Sequence, residues 1–243
     1  MSVTPQLPAI LDLELTPSPI KAVNVAARVS HASMLPTDID QLKLVKQLLD
    51  WGHFTPFEFI VCRFTLLTDR AIANELVRHR MASFVQESTR YVRYDTELPT
   101  VYPRDFAFTE EEEKADTEEY RKKHEAAQIL HEHCEAAQAA YNKIIALGFK
   151  PEIARAALPQ CTATKITVTM NFRELVHMLK LRTGSGAHPD MRRIMAGLIK
   201  AIAKKDEDWA LLLQWALHGT PDSSAFEPVQ NPDEQASSYT EIE

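Results

Sequence analysis

The sequence predicts a single α+β domain, with a central antiparallel sheet flanked by many helices, and three features carry that expectation. Two runs, Phe57–Thr68 and Thr162–Met170, are rich in β-branched and apolar residues and read as strands, each followed at once by a helical pattern. The acidic stretch from Thr109 to Leu147 reads as one long helix. Only six glycines occur (52, 148, 184, 186, 197 and 219), and none frames a GxGxxG or a GxxxxGK, which excludes a Rossmann fingerprint and a P-loop.

In chain order, Ala9–Leu15 alternates apolar and acidic residues as a half-exposed strand does, and the prolines at 17 and 19 break it. Ile20–Arg28 and Ile39–Leu49 carry helical periodicity, with Gly52 as the stop of the second. After the Phe57 strand, Asp69 caps a helix through about Val77. Tyr91–Val101 looks extended. Thr109 with Glu112 forms a capping box for the long helix, and Gly148 ends it. Pro151 opens a short helix through Ala157. Asn171–Arg182, Asp190–Lys204 and Glu207–Leu217 complete a helical C-terminal half, with Trp209 and Trp215 as core residues. The domain is expected to span 1–219, with the Ser-, Pro- and acid-rich 220–243 as a flexible tail.

A net charge of −7 argues against bulk binding to nucleic acid or membrane, so any basic cluster must be selective. No leader, lipidation signal or bilayer-spanning apolar run is expected, and the three cysteines (62, 134, 161) are far apart in sequence without CxxC spacing. A cytosolic protein with reduced thiols is the expectation.

The most informative stretch is Arg78-His79-Arg80, then seven residues, then Ser88 with Arg90 and Tyr91 beyond. Between Val61 and Thr100 there are six arginines and no lysine. Arginine's planar fork holds phosphate or carboxylate bidentately, whereas lysine offers a mobile point charge. A phosphorylated small molecule is one reading, and a solvated basic helix end is the other. Further polar clusters are His53 with Glu58, Arg155, and Asn171, Arg173, His177 and Arg182 on one helix. Arg173 and His177 share a face of that helix, whose other positions are nearly all apolar, so its polar groups need partners. Ser88 has no G-x-S-x-G elbow and sits among arginines, which suits holding a phosphate better than attacking a carbonyl. His131-Glu132-His133-Cys134 does not converge on a metal, because adjacent helical positions point about 100° apart.

Together these residues carry a family likeness. R-H-R-x7-S from Arg78 to Ser88 resembles the signature of the flavin-dependent thymidylate synthases. A-A-R-V-S (26–30), G-H-x-T-P-F-E (52–58), Q-x-S-x-R-Y (86–91), A-R-x-x-L-P (154–159), N-x-R (171–173) and L-x-L-R (179–182) follow the family in the same order. The resemblance implies a homotetramer with shared active sites holding FAD, dUMP, methylenetetrahydrofolate and NADPH. It places Ser30, Thr55, Glu58, Arg78, His79, Arg80, Asn171, Arg173, His177 and His188 on the cofactor side, with His53 where flavin and folate stack. It places Glu75, Arg78, Gln86, Glu87, Ser88, Thr89, Arg90, Arg155 and Arg182 at the nucleotide. Arg182, His53 and Ser88 stand nearest the chemistry, with Ser88 as a ligand-holding hydroxyl. No metal is implied.

The chain departs from the family at three places. Phe59 replaces a histidine, the usual R-Q pair is Asn74-Glu75, and the flavin-facing glutamine is His188. A carboxylate at 75 repels a phosphate unless an arginine pairs with it. These changes keep two rival readings open: another pyrimidine such as dCMP or hydroxymethyl transfer on the same scaffold, and a noncatalytic nucleotide-binding protein.

Overall fold

The computed structural model describes residues 2–30 and 38–219; the expected tail lies outside them. The main sheet has four antiparallel strands in the order β2-β3-β6-β4, formed by β2 (Ala9–Leu15), β3 (Val61–Asp69), β4 (Ser83–Gln86) and β6 (Ala163–Asn171). A second, two-stranded parallel sheet pairs β1 (Ser2–Gln6) with β5 (Glu97–Val101). Strict alternation decides which face of the main sheet is buried. Cys62, Phe64 and Leu66 of β3 and Ile166, Val168 and Met170 of β6 point into the main core, while Arg63, Thr65, Thr167 and Thr169 lie on the half-exposed face. There the Thr65 and Thr167 hydroxyls meet at 2.9 Å.

The helices that cover the buried face are α3 (Arg70–Leu76), α7 (Phe172–Arg182), α8 (Pro189–Lys205) and α9 (Glu207–His218). The ring series Phe57–Phe172–Trp209, with centroids 5.6 and 5.7 Å apart, stitches them together. Side-chain caps fix where each strand hands over to its helix. The Asp69 carboxylate accepts the Ile72 amide at 2.8 Å, and the Asn171 side chain accepts the Glu174 amide at 2.9 Å. α1 (Pro19–Val29) and α2 (Asp38–Asp50) pack beside α9, and Gly52 (φ 68°) turns the chain after α2. Val3, Tyr94, Leu98, Cys134, Tyr141 and Ala154 form a second, smaller core between the parallel pair and the long helix.

Three expectations are corrected. Residues 57–59 are not strand but part of a 3-10 turn (Thr55–Phe59): Pro56 fixes its φ and the Phe57 amide bonds to the Phe54 carbonyl at 3.0 Å. Tyr91–Val101 is strand only from Glu97, because the Tyr91 and Val92 amides both turn back to the Ser88 carbonyl. The long acidic helix is two, α4 (Glu110–Ala115) and α5 (Glu118–Ala146). Asp116 breaks it at φ 44°, held there by a two-pronged bond from Arg121, and Thr117 caps anew. The Thr109–Glu112 capping box is present, and Gly148 turns the chain at φ 90°. The strands β1 and β4 are short edge elements without an alternating signature, and periodicity alone does not find them. α6 (Pro151–Ala154) and a 3-10 turn (Arg155–Ala157) match the expected short helix.

Candidate functional site

The C-terminal end of α3 and the outer stripe of α7 converge on one buried imidazole. His79 is 5% exposed, lying just past the end of α3. Its Nδ1 is 3.2 Å from Glu174 Oε1, and its Nε2 accepts the Arg182 Nε–H at 3.1 Å. Arg182 also donates from NH1 to Glu75 Oε2 at 2.9 Å and from NH2 to the Glu75 carbonyl at 3.1 Å. This chain of bonds fixes a tautomer. Guanidinium only donates, so Nε2 must be the lone-pair nitrogen, and Nδ1 carries the proton toward the carboxylate. Burial lowers the His79 pKa below the ordinary imidazole value; the bond to Glu174 opposes this and the Arg182 charge reinforces it. His79 is therefore a neutral relay between two charged groups.

His79, Glu174 and His177 offer ligand atoms within 4.8 Å of one another. The tautomer argues against a cation there: Nδ1 carries a proton, and the Arg182 guanidinium sits against the other nitrogen. His177 is exposed and packs edge-on to His79, with ring centroids 6.0 Å apart.

A second constellation lies toward the other end of α3. Arg70, Thr89, Glu152, Arg155, Leu158, Pro159 and Gln160 help line a cavity of about 540 Å³. Thr89 is buried, Arg155 is exposed, and Arg70 NH1 is buried without a hydrogen-bond partner. Arg90 reaches Glu152 at 3.5 Å. A cavity walled by guanidinium groups, one with an unsatisfied N–H, suits an oxyanion. A third contact, Arg173 to Glu58 at 2.7 Å, ties the 3-10 turn after α2 to the start of α7.

The residues singled out from sequence fall into these groups unevenly. Glu75, His79 and Arg182 are bonded to one another; Glu58 and Arg173 pair; Thr89 and Arg155 share the cavity. Arg78 and Arg80 flank His79 and are exposed, with no ion pair among the described residues. Ser30, His53 and Thr55 are exposed, His53 edge-on to Trp51 with ring centroids 5.6 Å apart. The Ser88 hydroxyl accepts the Arg90 amide at 3.3 Å, so it shapes a turn. Gln86 donates to Thr164 at 3.3 Å, Glu87 accepts the Tyr94 hydroxyl at 3.3 Å, and His188 caps α8 by accepting the Asp190 amide at 3.2 Å. Asn171 caps α7, and Phe59 is exposed. The carboxylate at 75 has its arginine, and that arginine is Arg182. α7 is buried on one side only: Arg173, His177 and Leu181 face outward, and Leu181 is 54% exposed.

Sequence reasoning passed over two residues. Glu174 holds His79, and its spacing of three from both Asn171 and His177 was the available signal. Arg70 was counted among the arginines but given no place; its signal was its position immediately after a helix cap.

Comparison with known proteins fits this geometry. The family model described as thymidylate synthase complementing protein matches residues 13–206. The flavin-dependent thymidylate synthase of Thermosipho melanesiensis is 32% identical over 183 residues, covering 74% of this chain and 79% of the relative. That of Geobacter sulfurreducens is 32% identical over 206 residues, covering 79% and 82%. That of Pyrococcus furiosus is 32% identical over 213 residues, covering 84% and 82%. Among solved structures, the UMP/dUMP methylase PolB of Streptomyces cacaoi, bound with 5-Br dUMP, superposes with a TM-score of 0.68 at 25% identity, over 84% of this chain and 93% of that one. A family match across most of the domain, with the R-H-R histidine at the centre of a bonded network, makes the assignment direct: this chain belongs to the flavin-dependent thymidylate synthase family.

Proposed function

We propose that the chain reductively methylates dUMP at carbon 5 to give dTMP, using FAD, methylenetetrahydrofolate as one-carbon donor and NADPH as reductant, in a homotetramer with shared active sites. The observation that carries the reading is Arg182, held from three directions by Glu75 and His79. A guanidinium fixed in this way is preorganised to donate to a pyrimidine oxygen and to stabilise the negative charge that makes carbon 5 nucleophilic. Its five N–H groups exceed the three bonds made inside the protein, so donors remain for a substrate. Arg155, Arg90, Ser88, Thr89 and Gln86 bind the phosphate and sugar, and Glu87 is tied to Tyr94 beside them.

The residues present fit FAD. Arg78 and Arg80 are exposed and without ion partners among the described residues, as a pyrophosphate requires, and Ser30, His53, Thr55, Glu58, Asn171, Arg173, His177 and His188 would hold the rest. When bound, the flavin supplies the hydride. The chain itself binds and orients the substrate, keeps His79 neutral and holds Arg182 in place. Release of tritium from dUMP labelled at carbon 5, in the presence of FAD, folate and NADPH, tests the reading. A protein that takes up no flavin and releases no tritium would end it and leave the nucleotide-binding alternative.

A second reading rests on Glu75. An acceptor-only carboxylate beside a donor-only guanidinium also matches the cytosine edge, whose amino group donates and whose ring nitrogen and carbonyl accept. Mass spectrometry of products from dUMP and dCMP separates the two and reports whether a methyl or a hydroxymethyl group was added.

A further inference from the structure

Far apart in sequence, two of the three cysteines meet in space. Cys134, on α5, and Cys161, in the turn leading into β6, lie with their sulfurs 3.3 Å apart at the edge of the smaller core. Cys134 is fully buried and Cys161 is partly exposed. Both are free thiols, and a disulfide needs the sulfurs to close by only about 1.2 Å, to roughly 2.05 Å. The turn that bears Cys161 is pinned: the Val101 amide bonds to the Cys161 carbonyl at 2.8 Å, and the Arg70 amide bonds to the Gln160 carbonyl at 3.0 Å. Pro159 and Gln160 of the same turn are walls of the Arg155 cavity. Backbone on the Cys161 side is fixed, so α5 and its side chains make the adjustment.

We propose that Cys134 and Cys161 are a reversible disulfide site, a covalent clip that joins α5 to the turn walling the Arg155 cavity. The oxidant is a small thiol disulfide of the glutathione class. Partly exposed Cys161 passes its proton to the Cys134 sulfur and attacks the disulfide, forming a mixed disulfide and expelling one thiolate. Buried Cys134 then attacks the Cys161 sulfur, forming the internal bond and expelling the second. Two protein thiols are oxidised, and one small disulfide is reduced to two thiols that take up the two protons. The hydrogen bond between the two sulfurs lowers the Cys134 pKa and raises that of Cys161, so Cys134 serves as the base for the Cys161 proton, and accessibility makes Cys161 the attacking sulfur. Cys62 stands apart, buried in the main core while the pair lies at the smaller one. None of this depends on which nucleotide the protein takes.

The test is equilibration of the full chain in graded ratios of reduced to oxidised glutathione, followed by acid quenching, denaturation, alkylation and mass mapping. The expected result is three alkylated cysteines at the reducing end and Cys62 alone at the oxidising end, with the Cys134 and Cys161 peptides linked. Oxidation should raise Tm by roughly 3–8 °C, reversibly. In Cys134→Ser, glutathione should accumulate on Cys161. Three alkylated thiols across the series, glutathione on Cys161 of the unsubstituted chain without a link, or a link through Cys62 would each overturn the proposal. The mapping on the unsubstituted chain stands whether or not the variant folds.

Discussion

The Arg182 network and the Arg155 cavity are both built on guanidinium groups, at opposite ends of one short helix, and they are finished to different degrees. Arg182 is fixed by three bonds to Glu75 and His79, and Glu174 backs the histidine; the guanidinium is held in place without any ligand. Around the cavity Arg155 is exposed, Arg70 keeps an unsatisfied N–H, and Arg90 makes a loose ion pair with Glu152 and lies over the Tyr91 ring. The difference suits the two tasks proposed for them. Where charge develops during a reaction, the donors must already be in place, because reorganising them costs free energy at the barrier. Where a phosphate only has to be held, unsatisfied donors can wait for it.

The largest expected effect comes from breaking the finished network. Arg182→Ala should lower turnover by about 100-fold and stability by about 1–2 kcal/mol, the latter discounted because Glu75 is more than a third exposed. Unfolding in urea and single-turnover rates would check both. Stability equal to the parent's would mean the network forms only with ligand. At the cavity the pattern reverses. Arg155→Ala or Arg90→Ala should weaken dUMP binding by about 1.5–3 kcal/mol while leaving stability within about 0.5 kcal/mol, by calorimetry and melting.

A pH series sharpens the contrast, since only the network contains a titrating group with a lowered pKa. The unfolded chain binds a proton at the ordinary histidine value of about 6.5, and folded His79 resists it. Stability from His79 is thus fully present above that value and is lost as pH falls through the window beneath it. His79→Gln should flatten this part of the profile, and Arg155→Ala should not. Within the network the smallest effect on stability is expected from Glu75→Gln, about 0.5 kcal/mol, because an amide oxygen can still accept from Arg182. Its value lies in the product ratio from dUMP and dCMP: an unchanged ratio would remove Glu75 from pyrimidine choice.

The two regions were not equally legible in the sequence. Elements with a strong period and an explicit cap emerged with their boundaries nearly right: β2, α3 behind Asp69, and α7 behind Asn171. Pattern misled where a local turn interrupted it, as at Pro56 and Asp116, since a single residue's backbone state leaves little trace in periodicity. At the site, Glu75 was visible as an oddity and its need for an arginine was a matter of charge. Which arginine it takes is a fact of packing, set by α7 lying across the end of α3. Glu174 hid because its place, three beyond a cap, is already an ordinary one for a glutamate at a helix start. The Cys134–Cys161 meeting was invisible, as neither spacing nor composition brings α5 to the turn before β6.

The pairing of β3 with β6 sets an order of events during synthesis. Thr65 and Thr167 face each other across 102 residues of sequence, so the central ladder has no partner until most of the chain exists. At about 5–20 residues per second, the Arg78-His79-Arg80 segment waits on the order of 5–20 s before Glu174 and Arg182 leave the ribosome. Through that interval β3 can pair with β2 on one edge while the edge that will meet β6 stays open, and the arginines that follow β3 put like charge beside the open edge.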